Sequence, residues 1–133
     1  MNTMYRCALA AIVAFAVAGF QAPAAAQQAP RVFPPASLRG VIVFGDIPAI
    51  LLDGHPATLA PGSRIRGADN FAVMPSAITG IKLRVNFTLD VGGNAVKDVW
   101  ILTPAEREIL WPRTPAEALA WTYDPIAHLW IKP

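Results

Sequence analysis

The chain has 133 residues, with 11 Lys or Arg and nine Asp or Glu, so its formal net charge at pH 7 is +2. This near balance gives no general electrostatic attraction to polyanions. Binding to one would therefore need a local cluster of cations, and no nucleic-acid partner is expected. The single cysteine, Cys7, falls in an N-terminal apolar run, so no disulfide, thiolate nucleophile or cysteine metal site is expected in the processed protein.

Residues 1–26 have the pattern of a cleavable signal peptide. Arg6 precedes an apolar run from Cys7 to Phe20, which is shorter than the roughly 20 apolar residues that cross a bilayer. Small residues then lead to Ala26, which predicts cleavage before Gln27. We expect an exported protein, periplasmic or secreted, without an integral membrane segment. The alternative is an uncleaved N-terminal anchor.

The remainder is expected to fold as one domain around one apolar core. Residues 27–37 form a Pro- and Gln-rich leader, whose lack of apolar periodicity predicts an extended or flexible segment. Residues 38–103 contain short β-rich runs and predict a β-rich barrel domain. Residues 104–133 are predicted to form a helical, aromatic C-terminal cap of that domain.

The first strands are predicted around a tight hairpin. The apolar run 41–44 indicates a buried strand, and residues 50–52 and 57–59 flank Asp53-Gly54, a dipeptide typical of a two-residue turn. Pro56 cannot donate a ladder hydrogen bond, which predicts that the returning strand lies at an edge.

The next segment predicts shorter elements. Pro61-Gly62 indicates a turn, which is followed by short strands at 64–66 and 71–74. Strict alternation of apolar and polar residues over 81–90 then predicts a half-buried antiparallel strand. Residues 95–102 are its partner, with imperfect alternation. Either a bulge near Lys97 and Asp98 shifts the phase, or the strand end is covered on both faces.

The cap is predicted to contain two short helices and a hairpin. Thr103-Pro104-Ala105-Glu106 and Thr114-Pro115-Ala116-Glu117 each place an N-cap, a first-turn proline and an acidic residue at helix-start spacing. A turn at Asp124-Pro125 then separates residues 121–123 from 129–131. The whole pattern predicts a mainly β fold: a small OB-like or SH3-like barrel, or a twisted antiparallel sheet. The alternative is an open sheet with the helices on one face.

Several segments of the sequence resemble the corresponding segments of a group of small exported proteins of Gram-negative bacteria. They are Leu38-Arg39-Gly40 with Val41 to Gly45, Asp53-Gly54 with Leu59 to Gly67, and Asp98 to Pro104. The resemblance covers about Leu38 to Pro133 and implies export and domain extent, but it brings no activity. The spacing of the predicted strands and of the glycines is loosely similar to that in OB-like exported modules.

No catalytic, metal or cofactor constellation is recognisable in the sequence. Asp53 and His55 could supply two metal ligands, but a site needs three or four. The second histidine, His128, is not part of a sequence spacing typical of metal sites. No nucleophile elbow or phosphate-binding glycine loop is present. We therefore expect no cofactor and no enzymatic activity.

Two groups of residues are candidates for binding. The first is a polyanion or ligand face, predicted if the strands that carry these cations are neighbours; the alternative is a solvated surface. Its members are Arg64, Arg66, Lys82 and Arg84. The second is an aromatic contact surface, whose alternative is a satellite core. Its members are Trp111, Trp121, Tyr123 and Trp130.

The favoured hypothesis is a non-enzymatic periplasmic or secreted binding module with an unidentified partner, such as a glycan or an envelope protein. The alternative is a cell-envelope assembly or accessory factor that docks through its tryptophan-rich cap.

Overall fold

The computed structural model describes residues 30–133, so the predicted signal peptide and the start of the leader lie outside the described residues. Five strands close into a barrel in the order β1-β2-β3-β5-β4, with β4 returning to β1. Their bounds are β1 Leu38–Phe44, β2 Ala49–Leu52, β3 His55–Arg66, β4 Leu83–Leu89 and β5 Val96–Ile101.

The strand pairing is mixed, because β3 and β5 run parallel while the other neighbours are antiparallel. The protein is therefore mainly β and has a small OB-like barrel with two short helices, which confirms the predicted fold class. The sheet closes on itself, so the alternative of an open sheet is wrong.

The C-terminal cap follows the barrel. It consists of α1 Pro104–Glu108, α2 Pro115–Ala120 and a hairpin of β6 Thr122–Asp124 with β7 Leu129–Ile131. Thr103 caps α1 in a capping box with Glu106, and the Thr114 side chain accepts from the backbone N–H of Glu117 at the start of α2. Both predicted helix starts and the terminal hairpin are confirmed. Among residues 30–133, no helix is long and apolar enough to cross a membrane.

The region after the first hairpin departs from the prediction. Asp53 and Gly54 both have positive φ and form the expected two-residue turn. Pro61-Gly62, however, lies within the single long strand β3, where the pairing with β5 shifts register between Leu59 and Arg64. The expected turn is thus an irregularity in a continuous strand, since Gly62 takes a φ of 76°.

Two further differences concern neighbouring segments. Pro56 pairs with β2 on one side, and its other side is unpaired because β5 joins β3 only from Leu59 onward. The strand as a whole is therefore not an edge strand, although the proline lies in a part of it that is paired on one side only. Residues 71–74 form only an isolated bridge, Arg66 to Ala72, and a 3₁₀ turn follows at Pro75–Ile78.

The β4–β5 hairpin contains the predicted bulge. Phe87 pairs with Val99 and Leu89 pairs with Val96, so Lys97 and Asp98 together oppose a single residue of β4. The extra residue shifts the phase of β5, as the broken alternation of its sequence indicated.

The apolar core has two parts. The barrel interior is filled by ten buried residues from all five strands, among them Ile42, Phe44 and Val85 at 0% exposure. The second cluster lies under the cap and contains Phe33 and Leu102 with two tryptophans. Phe33 comes from the predicted leader, so residues of the leader contribute to the packed domain.

Candidate functional site

The four cations of the predicted basic face are not brought together. Arg64 and Arg66 lie on β3, and Arg84 lies on β4, but β5 runs between these two strands. Arg64 and Arg66 line a separate surface cleft with Val73 and Met74. Because β3 and β4 are not neighbours, the four cations do not share one face. Arg84 instead lines the cleft described below.

The predicted aromatic group is mostly core. Trp111 and Trp130 are 5% and 8% exposed, and their ring centroids lie 6.1 Å apart in an edge-to-face arrangement. Tyr123 packs against both rings at 6.3 and 5.2 Å. Such pairs stabilise a core beyond the area they bury. The group thus anchors the cap on the barrel, and Trp121 is its half-buried member beside the cleft described next.

A cationic cleft of about 400 Å³ lies between the barrel and the cap. Five of the 11 Lys and Arg of the chain line it, against two carboxylates, which leaves an excess of three positive charges. The cations are Arg39, Arg84, Arg107, Arg113 and Lys132, and the carboxylates are Glu108 and Glu117. We call this site the cationic cleft.

Arg39 is the buried cation of the cleft. It lies on β1 at a position whose neighbours Leu38 and Gly40 are also buried, and it is itself only 7% exposed. Alternation along β1 directs Ile42 and Phe44 into the barrel, so Arg39 is on the outer face, where the cap covers it.

Neutral acceptors hold the guanidinium of Arg39 in place. Its Nε donates to Asn86 Oδ1 at 3.1 Å, and Nη2 donates to the Glu106 carbonyl at 3.1 Å. Nη1 donates to the carbonyl oxygens of Arg107 and Ile109. Three of these four bonds are to backbone carbonyls at the end of α1, and the Glu106 carbonyl also accepts from the backbone N–H of Ile109. Because a guanidinium has five N–H groups, one Nη2 hydrogen has no acceptor among residues 30–133.

The charge of Arg39 is not neutralised by a direct partner. Within residues 30–133, the only ion pair closer than 4 Å is Arg31 with Glu106. Burial, followed by the positive charges of Arg84 and Arg113, lowers the pKa of Arg39 to about 10, although the charge of Glu106 opposes this. At neutral pH the residue therefore remains cationic beside two further guanidinium groups.

The Arg31–Glu106 pair fixes the helix end on which Arg39 depends. Arg31 Nε and Nη2 reach the two carboxyl oxygens of Glu106 at 2.9 and 2.8 Å, and Arg31 also donates to the carbonyls of Gly67 and Ile101. Glu106 in turn accepts from the backbone N–H of Thr103. Arg31 thus connects the leader, the barrel and α1.

The opposite wall of the cleft is formed by the end of the cap. Nζ of Lys132 lies 5.1 Å from the ring centroid of Trp121, within the range of a cation–π contact. In α2, Oε2 of Glu117 accepts from the backbone N–H of Arg113 at 2.7 Å, which orders the segment that carries this arginine. One contact places the ammonium of Lys132 beside the Trp121 ring, and the other fixes the backbone at Arg113.

A smaller cleft of about 130 Å³ adjoins this site. Arg39, Arg84 and Arg113 line both clefts, so the three guanidinium groups stand where the two meet. Asp53 closes the small cleft, and its Oδ1 accepts from the backbone N–H of Val41 at 2.8 Å.

The side chains of residues 30–133 contain no group of three or more His, Cys, Asp or Glu that could hold a metal ion. His55 Nδ1 lies 3.1 Å from the Asp53 carbonyl oxygen, and His128 Nδ1 lies 3.3 Å from the Tyr123 hydroxyl.

Comparison of the chain with protein-family models, with curated proteins and with solved structures found no match.

Of the eight predicted binding residues, three line the cationic cleft: Arg84, Trp111 and Trp121. Lys82 is exposed and does not line it. Sequence reasoning missed Arg39, Arg107, Arg113 and Lys132. One signal was present, because Arg39 is a cation beside an otherwise apolar run that reads as a buried strand.

Proposed function

We propose that this protein is an exported binding module that holds an anionic ligand in the cationic cleft. The observation that carries the proposal is Arg39, a guanidinium that is 7% exposed and has no carboxylate within 4 Å among residues 30–133. A buried charge without a counter-charge is costly, and a bound anion removes that cost.

The cleft is also prepared for such a ligand. Arg39 is fixed by four hydrogen bonds, and Lys132 is held against Trp121. Groups ordered in advance lose less conformational entropy when they bind, which favours affinity. The volume of about 400 Å³ falls within the usual range for small-molecule sites.

The proposal is a binding role without a catalytic step, and it includes export through the signal-peptide pattern of residues 1–26. Docking on an envelope protein through the tryptophan rings is the weaker hypothesis. Trp111 and Trp130 are buried in the second core cluster, so their rings offer little surface to a partner.

The test is a titration of the purified protein with inorganic phosphate at constant ionic strength, followed by ¹H–¹⁵N NMR. We expect saturable shifts at the backbone of Leu110 and Arg113 and at the indole N–H of Trp121, which line the cleft. The double variant Arg84→Gln/Arg113→Gln should lose them.

The matched control is Arg64→Gln/Arg66→Gln, which removes the same two charges from a separate cleft. It should bind phosphate like the wild type. Equal losses in both double variants would show that only the net charge of the protein matters, and they would refute a specific site.

A further inference from the structure

The cationic cleft contains two chemically different parts. At one end, Arg39, Arg84 and Arg113 line both the large and the small cleft. Toward the cap, Glu108 and Glu117 line the large cleft alone, together with Arg107 and Lys132 and the apolar side chains of Leu110 and Trp121. A ligand that fits both parts must combine two kinds of group.

The arginine end suits a doubly charged oxyanion. Arginine presents its donors in a planar fork that matches phosphate and carboxylate oxygens. Arg84 and Arg113 each offer such a fork here, and Arg39 adds its charge and one unused N–H. A phosphomonoester carries a charge of about −1.5 to −2 at pH 7 with three acceptor oxygens. A carboxylate or a sulfate ester, with one charge, would neutralise less of this positive potential.

The cap end suits hydroxyl groups better than a second phosphate. Ionised carboxylates only accept hydrogen bonds, so Glu108 and Glu117 favour a ligand that donates them. Arg107 and Lys132 balance these two carboxylates, so the cap end has no net charge and attracts a second phosphate less than the arginine end does. Leu110, 40% exposed, and the half-buried Trp121 offer apolar surface for the carbon skeleton of such a ligand.

We propose that the ligand is a sugar monophosphate, with its phosphate at the junction of Arg39, Arg84 and Arg113 and its hydroxylated ring between Glu108 and Trp121. This inference rests on the proposed function and narrows its ligand class. The site differs in position from the face formed by strands 2 and 3 on which OB-folds bind their ligands, because it lies on β1, β4 and the cap.

The experiment compares the dissociation constants of four probes by the same NMR titration: inorganic phosphate, glucose, glucose 6-sulfate and glucose 6-phosphate. We expect glucose 6-phosphate to bind at least about tenfold more tightly than each of the other three, a difference of about 1.4 kcal/mol. Arg84→Gln/Arg113→Gln should abolish binding of both phosphates.

Glu108→Gln tests the ring contact. Glu108 is exposed, and it is not among the residues that hold Arg39, so the variant should fold normally. It should reduce the advantage of glucose 6-phosphate over inorganic phosphate about threefold or more. Inorganic phosphate should bind at least as tightly as to the wild type, because one negative charge of the cleft is removed. Asp46→Asn, an equal charge change at an exposed residue outside both clefts, should change neither constant.

The outcomes separate the two proposals. If inorganic phosphate binds and glucose 6-phosphate binds no more tightly, the sugar inference is wrong and the anion site stands. Equal binding of glucose 6-sulfate and glucose 6-phosphate would overturn the requirement for a doubly charged group. If neither phosphate binds, both proposals fail.

Discussion

Arg39 and Asn86 are register partners on β1 and β4, and Arg39 Nε lies 3.1 Å from Asn86 Oδ1. Both side chains are buried, although both are on the outer face of the barrel. Nδ2 of Asn86 has no hydrogen-bond partner among residues 30–133. A neutral amide thus occupies the position from which a carboxylate would neutralise the guanidinium, and this leaves the positive charge without a direct counter-charge.

Asn86→Asp should therefore weaken phosphate binding without weakening the fold. The carboxylate keeps the acceptor for Arg39 Nε, removes an unpaired buried donor and supplies a counter-charge. We expect phosphate affinity to fall about tenfold. Because a hydrogen bond between charged groups is stronger than one between a charged and a neutral group, the free energy of unfolding should stay unchanged or rise by about 1 kcal/mol.

Urea unfolding and phosphate titration measure the two effects. Asn94→Asp is the control, since it makes the same change of charge at an exposed residue of the β4–β5 turn. A variant of Asn86 that binds phosphate as tightly as the wild type would show that the charge of Arg39 does not contribute to affinity.

Glu106 should make stability depend on pH in the acid range. Burial raises the pKa of Glu106, but hydrogen bonds from the Arg31 side chain and from the backbone N–H groups of Thr103 and Arg31, together with the charge of Arg31, outweigh this. They hold the pKa below its ordinary value of 4.5. A carboxyl whose pKa is lowered by folding stabilises the protein above that ordinary value. The stabilisation is lost as the pH falls through the folded-state pKa.

Glu106→Gln should accordingly cost about 3 kcal/mol at pH 7, since it leaves the partly buried Arg31 without its carboxylate. The difference in the free energy of unfolding between the variant and the wild type should narrow as the pH falls below 4.5 and through the folded-state pKa of Glu106. Guanidinium unfolding at a series of pH values measures this. Glu108→Gln, the exposed neighbour, should run parallel to the wild type, and a gap independent of pH would contradict the role of the Glu106 charge.

Local sequence patterns predicted most of the strands, turns and helix starts, because the interactions that form them join residues that are close in the sequence. The Asp53-Gly54 turn needs residues that tolerate positive φ, and the start of α1 needs the side chains of Thr103 and Glu106, which are three residues apart. The parallel pairing of β3 with β5 joins Ile65 to Val99. No local pattern encodes such a contact between distant segments, so sequential hairpins were the only arrangement the sequence could indicate.

The candidate site was harder to predict for the same reason. Its arginines come from β1, β4, α1 and the segment between α1 and α2, and they meet only when the barrel closes and the cap packs on it. Alternation places Asn86 on an outer face, but its burial depends on the cap. The predicted basic face required β3 and β4 to be neighbours, but β5 lies between them.

The two faces of β4 should respond differently to substitution near its centre. Val85 is 0% exposed in the barrel core, so Val85→Asp should cost several kcal/mol and prevent folding. Thr88→Ser should cost under about 1 kcal/mol, because the serine hydroxyl can keep the contact with the Asp98 backbone N–H at 3.2 Å. Thermal unfolding compares them, and similar losses would mean that Thr88 is as tightly packed as Val85.

The signal-peptide pattern of residues 1–26 predicts the first residue of the exported protein. If residues 1–26 are a signal peptide, protein recovered from the periplasm or medium should begin at Gln27 or within a residue or two of it. Intact mass spectrometry measures this directly. Recovery of the chain with Met1 in the membrane fraction would establish an anchor instead.

Phe33 should be required for stability even though its segment has the composition of a flexible leader. Its ring is 4% exposed and lies edge-on to Trp100 and Trp111, at centroid distances of 6.0 and 5.9 Å. Phe33→Ala leaves a cavity under the cap, where both tryptophans lose a packing partner. We expect a loss of about 3 kcal/mol in the free energy of unfolding, the usual range for a buried phenylalanine.

Phe71→Ala is the matched control, since the same atoms are removed from a ring that is 73% exposed, and the cost should be under about 0.5 kcal/mol. Urea unfolding followed by tryptophan fluorescence suits both variants because Trp100 and Trp111 report on the cluster directly. Since Arg31 precedes Phe33 and holds the helix end that orients Arg39, Phe33→Ala should also weaken phosphate binding at temperatures where the barrel is still folded. A variant that unfolds at the same urea concentration as the wild type and binds phosphate normally would mean that the leader contributes nothing to the domain.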